Sequence, residues 1–230
     1  MLLLVLALSP LAGLARSETP RPAPTVSATV SLPTEASRRF EQPIALEALR
    51  ATPGAHLGQA VRFVIQFQRL VEDWNPYLSR FEPGRWLALE AWPDELFTWD
   101  RRVFDAPVGH LFVRRGGGFE PVARRARTYQ RFEVHGRVRE VFLGEPWIEI
   151  EELVPLSGEV GEGAILHVTR AREVAQHGQF DLALEQYQRA CAGPLPPHAL
   201  AALLAEIHAV EEARDRAQPA TPVARPKAKK

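Results

Sequence analysis

The sequence predicts an α+β protein in which five β-strands close into a barrel, followed by a small C-terminal helical hairpin and one further helix. The strands are indicated by apolar and polar residues that alternate with a period of two between residues 57 and 156. The helices are indicated by a change to a period of 3.6 beyond Gly161. Gly136, within the most regular strand, predicts the bulge or bend that lets a small sheet curl into a barrel.

Residues 1–17 predict a secretory signal peptide. Their apolar run is too short for a comfortable membrane span, Pro10 breaks it, and small residues precede a cleavage site expected near Ala15 or Ser17. No Lys or Arg precedes the run, so the alternatives are a start site placed too late and an uncleaved anchor, which would be the only membrane contact of the chain. We therefore expect an exported protein of the periplasm, the cell envelope or the medium.

Composition divides the remainder of the chain. Residues 18–42 are rich in Pro, Ser, Thr and Ala without apolar periodicity, which predicts a disordered linker. Residues 43–157 form the predicted barrel, opened by a short helical turn from Ile44 to Leu49, and residues 162–217 form the predicted helices. Residues 218–230 predict a disordered basic tail.

The predicted strands follow in order along the barrel region. They run from Ala60 to Leu70, from Trp86 to Trp92 and from His110 to Arg115, and a long hairpin from Thr128 to Leu156 supplies the last two. Gly144-Glu145-Pro146 is the predicted hairpin turn, because Gly allows a positive φ and Pro cannot donate to a ladder.

Short motifs in this region resemble those of OB-fold domains in exported bacterial proteins. The matching residues are Gly58, Val61 and Phe63 at the first strand, then Val134, Gly136 and Val138 at the fourth. The resemblance covers residues 57–156 and implies a five-stranded barrel whose second and third strands bind ligands on their outer face. A β-sandwich or another small barrel is the structural alternative.

The C-terminal pattern resembles one tetratricopeptide repeat. The predicted helices run from Ala164 to His177, from Asp181 to Ala192 and from His198 to Arg216. The repeat's small and aromatic positions are matched by Gly178, Phe180, Ala183, Tyr187 and Ala190. A lone repeat cannot bury its faces, so we expect these helices to pack on the barrel or on another protein. The candidate protein-docking residues are Phe180, Tyr187, Leu203 and Ile207.

The candidate ligand site lies on the outer face of the second and third strands. If Leu87 and Leu89 point into the barrel, the rings of Trp86, Trp92 and Phe112 point outward. Aromatic rings beside arginine can stack on single-stranded nucleic acid or sugar. The arginines of this candidate site are Arg114, Arg124, Arg125 and Arg127. The alternative is that the tryptophans are covered by the connection around residues 97–104 or by the C-terminal helices, and that the arginines are neutralised by the glutamates of residues 145–162.

Nothing in the sequence predicts an enzyme. The seven histidines are scattered without a pair framed for zinc, no nucleophile elbow surrounds a serine, and Cys191 is the single cysteine. No Lys and no helix are expected after the Gly116-Gly117-Gly118 loop, which excludes a phosphate-binding loop. We predict no catalytic residue, no metal and no cofactor.

These observations favour a non-catalytic binding or assembly module of the cell envelope whose partner is another protein. The 28 Lys and Arg residues equal the 28 Asp and Glu residues, so net charge does not argue for nucleic acid or for an anionic membrane. The alternative is a binder of single-stranded nucleic acid or of an oligosaccharide, including an acidic polysaccharide, through the outer barrel face.

Overall fold

The computed structural model describes residues 43–74 and 80–217. The predicted signal peptide, linker and basic tail lie outside the described residues.

Five strands form a closed barrel, as the sequence predicts. They are β1 (Ala60–Val71), β2 (Trp86–Pro93), β3 (Val108–Arg114), β4 (Arg131–Phe142) and β5 (Glu145–Pro155). Their order around the barrel is β1-β2-β3-β5-β4, with β3 and β5 parallel and the other neighbouring pairs antiparallel. This mixed barrel, followed by helices, confirms the predicted α+β class, and it is consistent with an OB-fold-like domain.

The alternation along the strands places the core. Val61, Phe63 and Ile65 of β1 are buried inside the barrel with Leu89 and Ala91 of β2. The side chains that alternate with these along β2, such as those of Trp86 and Ala88, lie in a separate cluster on the outer face. The predicted assignment of the two faces of β2 is therefore correct.

Gly136 bends the sheet where the bulge was predicted. The register between β4 and β5 shifts between His135 and Gly136. A Cβ atom on Gly136 would lie 2.7 Å from the Glu149 carbonyl oxygen and 2.9 Å from Cγ2 of Ile148. Glycine is thus required because the backbone of β5 passes too close for any side chain.

The turn of the long hairpin lies one residue earlier than predicted. Leu143 and Gly144 form it, with φ angles of 52° and 80°, while Glu145 and Pro146 already belong to β5. Two consecutive positive φ angles are typical of a type I′ hairpin turn, which favours Asn-Gly. Leucine is unusual at the first position of such a turn. The turn was therefore predicted from Gly and Pro, one residue too late.

Short helices precede the barrel and lie in two of its connections. Before β1 lie α1 (Leu46–Ala51) and a 3-10 helix (Pro53–His56), α2 (Arg101–Phe104) connects β2 to β3, and α3 (Glu120–Arg125) lies between β3 and β4. The prediction that no helix follows the glycine loop is wrong, because α3 begins two residues after Gly118. Glu120 and Pro121 both suit a first helical turn, Pro because its missing N–H has no intrahelical role there.

Three longer helices follow the barrel: α4 (Glu162–Gln176), α5 (Phe180–Ala190) and α6 (Pro197–Ala217). Ala171, Ala183 and Ala190 are buried, which lets the helices approach closely. Ala171 and Ala190 lie in an apolar cluster that also contains Trp99 and Phe97 of the β2–β3 connection, so the helices pack against the barrel through that connection. No helix within residues 43–74 and 80–217 has the length and apolar content needed to cross a bilayer.

A buried ion pair joins the barrel to these helices. Nε and Nη2 of Arg131 each donate to the Asp94 carboxylate at 2.7 Å, and Nη1 donates to the Ser157 carbonyl at 2.8 Å. Nε2 of His198, in the first turn of α6, lies 2.8 Å from the Asp94 carbonyl oxygen. These contacts thus join the end of β2, the start of β4, the segment after β5 and the first turn of α6.

Candidate functional site

The three aromatic residues predicted for the stacking surface are buried. Trp86, Trp92 and Phe112 expose 7%, 1% and 1% of their surface, respectively. Trp86 and Phe112 belong to the outer-face cluster, as predicted, but other parts of the chain cover them. An exposed stacking surface at these positions, which the nucleic-acid and oligosaccharide hypothesis requires, is therefore not what the structure has.

Trp92 is covered by the β2–β3 connection. Its ring stacks between those of Phe104 and Tyr129, with centroid distances of 5.4 and 5.5 Å. Its Nε1 donates to the Phe104 carbonyl oxygen at 3.1 Å. Both ring faces and the only polar atom of this side chain are thus used within the fold.

Trp86 and Phe112 are covered by Phe81, which comes from the β1–β2 connection. Phe81 stacks on Phe112 at 4.0 Å and meets Trp86 edge-on at 5.0 Å. The guanidinium carbon of Arg114 lies 4.7 Å from the centre of the Trp86 ring. This geometry is a cation–π contact that occupies the arginine predicted to bind ligand.

Most of the predicted arginine cluster is neutralised by carboxylates. The contacts are Arg114 with Glu149 at 3.3 Å, Arg124 with Glu72 at 2.8 Å and with Glu120 at 2.7 Å, and Arg127 with Glu159 at 3.8 Å. The hydrogen bond from Arg124 lowers the pKa of the Glu72 carboxyl. Arg125 donates to the Pro121 carbonyl oxygen at 3.0 Å. Two of these partners, Glu149 and Glu159, come from the glutamate-rich run that the sequence offered as the alternative.

The predicted protein-docking residues contribute mainly to packing within the helices. Tyr187 and Leu203 are buried, whereas Phe180 and Ile207 are partly buried. The Tyr187 hydroxyl donates to Glu206 at 2.7 Å. These contacts hold α5 against α6 and leave Tyr187 and Leu203 little surface for a partner.

Glu206 is the centre of a polar network between the helices. Arg172 of α4 donates to its two carboxylate oxygens at 2.9 and 2.6 Å. Burial raises the pKa of Glu206, but the hydrogen bonds from Arg172 and Tyr187 outweigh it and lower the pKa below its ordinary value. Burial and Glu206 raise the pKa of the Tyr187 hydroxyl. The network therefore stays in its ion-paired form at neutral pH.

A pocket of about 320 Å³ opens beside the covered cluster on the outer face of the barrel. We call it the aromatic pocket. Trp74 comes from the start of the β1–β2 connection, Phe142 from the end of β4, Leu143 from the β4–β5 turn and Trp147 from β5. β3 supplies the remaining lining residues, which are Gly109, His110 and Phe112.

Ring stacking sets the shape of the aromatic pocket. The Trp147 ring stacks on His110 at 5.0 Å and on Phe112 at 5.2 Å, both with an interplanar angle of 22°. Trp74 packs on Phe112 at 5.0 Å, and Phe142 meets Trp147 edge-on at 5.9 Å. Because His110 and Phe112 are two residues apart on β3, their side chains share one face of the sheet.

Three ring nitrogens in these side chains lack a hydrogen-bond partner among the described residues. They are Nε1 of Trp74, Nε1 of Trp147 and Nδ1 of His110, and all three atoms are buried. An indole nitrogen can only donate, so both tryptophans call for an acceptor. Burial lowers the pKa of His110, which keeps its ring neutral at neutral pH.

A carboxylate lies next to the aromatic pocket. Glu140 is directly opposite Trp147 in the β4–β5 ladder, so the two side chains share the outer face. Its Oε2 atom is buried without a hydrogen-bond partner among the described residues. Arg80 forms an ion pair with it, because its Nε lies 3.9 Å from that oxygen. The pocket is thus apolar at its centre and acidic at this side.

A larger cavity, of about 400 Å³, lies where the first described residues meet α6. Asp94 and His198 are part of its wall, together with Arg62 and Glu133. This cavity belongs to the junction between the barrel and the helices, so we regard the aromatic pocket as the candidate ligand site. No group of three or more His, Cys, Asp or Glu side chains that could hold a metal ion occurs within the described part of the chain.

Trp74, His110, Trp147 and Glu140 were not among the residues predicted for the ligand site. Trp147 alternates with Ile148 and Ile150 in a predicted strand, and this pattern already put it on the outer face. Its neighbours come from separate segments, however, and only the register of the barrel brings them together. A comparison with models of known protein families finds no match to this chain, and neither does a comparison with curated proteins.

Proposed function

We propose that this protein is a non-catalytic binding module of the cell envelope, in which an OB-fold barrel binds a segment of a protein partner in the aromatic pocket. The observation that carries the proposal is the set of buried ring nitrogens in the wall of an apolar pocket that have no hydrogen-bond partner in residues 43–74 and 80–217. Ligand sites are typically concave and apolar, with a few polar groups that fix the orientation of the ligand.

The chemistry of the pocket favours a protein segment over a polyanion or a sugar. Among the described residues that line the pocket, His110 is the only ionisable one, and none is Asp, Asn, Gln, Lys or Arg. A polyanion needs unpaired cations, whereas Arg114, Arg124 and Arg127 are paired with glutamates. A sugar presents many hydroxyl groups, each of which needs a polar partner when buried. An apolar peptide segment with exposed carbonyl groups needs only the ring faces and the indole donors.

The other elements of the proposal have separate support. The strand order with β3 parallel to β5 supports the OB-fold assignment. Buried Ala183, Tyr187 and Ala190 support the tetratricopeptide-like assignment of α4 and α5. Export is supported by the apolar composition of residues 1–17. The helices serve in this proposal as a brace docked on the barrel.

Site-specific photo-crosslinking in the native host tests the proposal. A photoreactive amino acid at Leu143, which is exposed at the rim of the pocket, should yield crosslinks to a protein. The matched control is the same amino acid at Leu204, an exposed leucine on α6, where we expect none. Crosslinks from Leu204 alone would assign docking to the helices and contradict the proposal.

A further inference from the structure

We propose that the occupant of the aromatic pocket is the segment of residues 218–227 from a neighbouring copy of this chain, so that copies associate head to tail. The inference rests on the proposed function of the pocket as a protein-binding site. It identifies the partner from three properties of the site, namely its ring surfaces, its unpaired donors and its charge.

The rings and donors fit an extended segment that contains proline. Polyproline II segments have no internal hydrogen bonds, so their carbonyl groups are free to accept from a partner. Aromatic-lined grooves bind such segments by packing rings against the prolines, at little cost in chain entropy. Nε1 of Trp74 and Nε1 of Trp147 lack acceptors among the described residues and are the groups that would donate to those carbonyls.

The charge around the site selects a basic segment. Glu140 lies beside Trp147, and within the described part of the chain its buried Oε2 has no hydrogen-bond partner and a single ion-pair contact, at 3.9 Å from Nε of Arg80. Asp73, which precedes Trp74, is exposed. A cation on the incoming segment would complete the coordination of Glu140, because charge-assisted hydrogen bonds are stronger than neutral ones.

The chain itself carries a sequence with these properties immediately after α6. Residues 218–227 read QPATPVARPK, with three prolines and the two bases Arg225 and Lys227. The other proline-rich stretch of the chain begins at Glu18 and has Arg21 as the only base in its first ten residues. Both stretches carry three prolines, but the two bases of residues 218–227 have no acidic neighbour within the stretch, whereas Glu18 offsets the charge of Arg21 in residues 18–27. Residues 218–227 therefore match the carboxylate better.

The geometry of α6 favours a neighbouring copy as the source of the segment. α6 contacts the barrel in its first turn, where His198 meets Asp94, and beyond that it packs on α5. Its 21 residues span about 31 Å. Arg214 near its end lies 3.5 Å from Asp181 of α5, far along the helix from the barrel contact. Pro226, nine residues beyond Ala217, reaches about 28 Å in a polyproline conformation, which is less than the length of the helix.

Leu143 supports a contact at the rim of the pocket. It has a φ of 52°, in the left-handed region that disfavours leucine, and 86% of its surface is exposed. Asparagine would fit this turn better, so the fold gains nothing from an apolar side chain here. An exposed apolar residue in a strained conformation is explained if it packs against a bound segment.

Head-to-tail association makes a specific prediction for mixtures. The pocket and the segment are different surfaces, so one copy can donate its segment and accept another. In sedimentation velocity, the wild-type chain should associate as its concentration rises. The Leu143→Asn variant, with a defective pocket, and the Pro222→Ala/Pro226→Ala variant, with a defective segment, should each require at least about tenfold more protein to associate. An equal mixture of the two should form heterodimers that do not extend. If mixing has no effect beyond the separate variants, or if the wild-type chain stays monomeric, the proposal is overturned.

A labelled peptide of residues 218–227 tests the site directly. It should bind the wild-type chain, and Leu143→Asn and Glu140→Gln should each weaken it about tenfold, a loss also expected from replacing its three prolines by alanine. The matched control peptide is residues 18–27, which should bind at least about tenfold more weakly. Equal binding of the two peptides would contradict the role of Glu140. Crosslinks from Leu143 to an unrelated protein, without peptide binding, would overturn this inference and leave the proposed function standing, whereas the absence of both would overturn both.

Discussion

Two tryptophans on the outer surface of the barrel, Trp92 and Trp147, have similar burial and different surroundings. They expose 1% and 8% of their surface. Trp92 has a ring on each face and a hydrogen bond to the Phe104 carbonyl oxygen. Trp147 lines an open pocket, and its Nε1 has no hydrogen-bond partner among the described residues. Burial alone does not separate a structural aromatic residue from a candidate site, whereas the state of its polar atom does.

The largest expected effect concerns Trp92, the tryptophan whose surroundings are fully packed. Trp92→Ala should lower the free energy of unfolding by about 3–5 kcal/mol, because it empties a fully packed site. The control is Trp74→Ala, which removes a partly buried ring at the aromatic pocket and should destabilise less. Urea denaturation measures both. Equal losses would mean that the two regions are packed alike.

The ion pair of Asp94 with Arg131 should contribute nearly as much to the free energy of unfolding as the Trp92 side chain. Asp94→Ala leaves Arg131 buried without its partner and should lower the free energy of unfolding by about 3–5 kcal/mol. The matched control is Asp105→Ala, which breaks the exposed pair with Arg101 and should change stability far less, because solvent screens that pair. Thermal denaturation of the two variants compares these effects, and a small effect of Asp94→Ala would contradict its role at the junction.

Replacing each tryptophan by phenylalanine isolates the indole nitrogen. Trp92→Phe leaves the Phe104 carbonyl oxygen without its donor, whereas Trp147→Phe removes a donor for which the described residues supply no acceptor. Both variants lose the same ring volume, so the extra loss of stability in Trp92→Phe should be about 1 kcal/mol, the net contribution of one hydrogen bond. The comparison fails if Trp147→Phe is the more destabilising of the two.

The smallest effect concerns pH. Burial lowers the pKa of His110, so the unfolded chain, in which the pKa is about 6.5, binds the proton more readily than the folded one. This contribution to stability is present above about pH 6.5 and is lost as the pH falls through the folded-state pKa. His110→Gln should therefore flatten the fall in stability between neutral and mildly acidic pH. Chemical denaturation at a series of pH values measures the difference, and parallel curves would show that His110 is not responsible.

Local patterns predicted the strands because their signal lies within each segment. Val61, Phe63 and Ile65 point inward simply because alternate residues face opposite sides. The aromatic pocket could not be predicted in this way. Glu140 lies opposite Trp147 because the strand register shifts between Val138 and Glu140. No residue in the hairpin sequence predicts that shift.

The cover of Trp92 by the connection around residues 97–104 was given as an alternative, whereas the cover over Trp86 and Phe112 was not predicted. Phe81 lies in a connection without periodicity, yet it closes over Phe112 and Trp86. In the same way, the ion pair of Arg124 with Glu72 joins residues 52 positions apart. Connections are placed by the tertiary fold, so the number of exposed rings cannot be read from the alternation of strands alone.

Gly136 also limits how this sequence can vary. Every single-base change that replaces a glycine adds at least a Cβ atom, and at this position the atom would meet the backbone of β5 at 2.7 Å. There is thus no conservative substitution, unlike at the surrounding valines, where isoleucine or leucine keep the same chemistry. In a saturation library selected for folded protein, we expect variants with a substitution at Gly136 to be among the most depleted in the barrel. Because β4 and β5 lie so close together at this residue, we expect no substitution of Gly136 to be neutral during evolution.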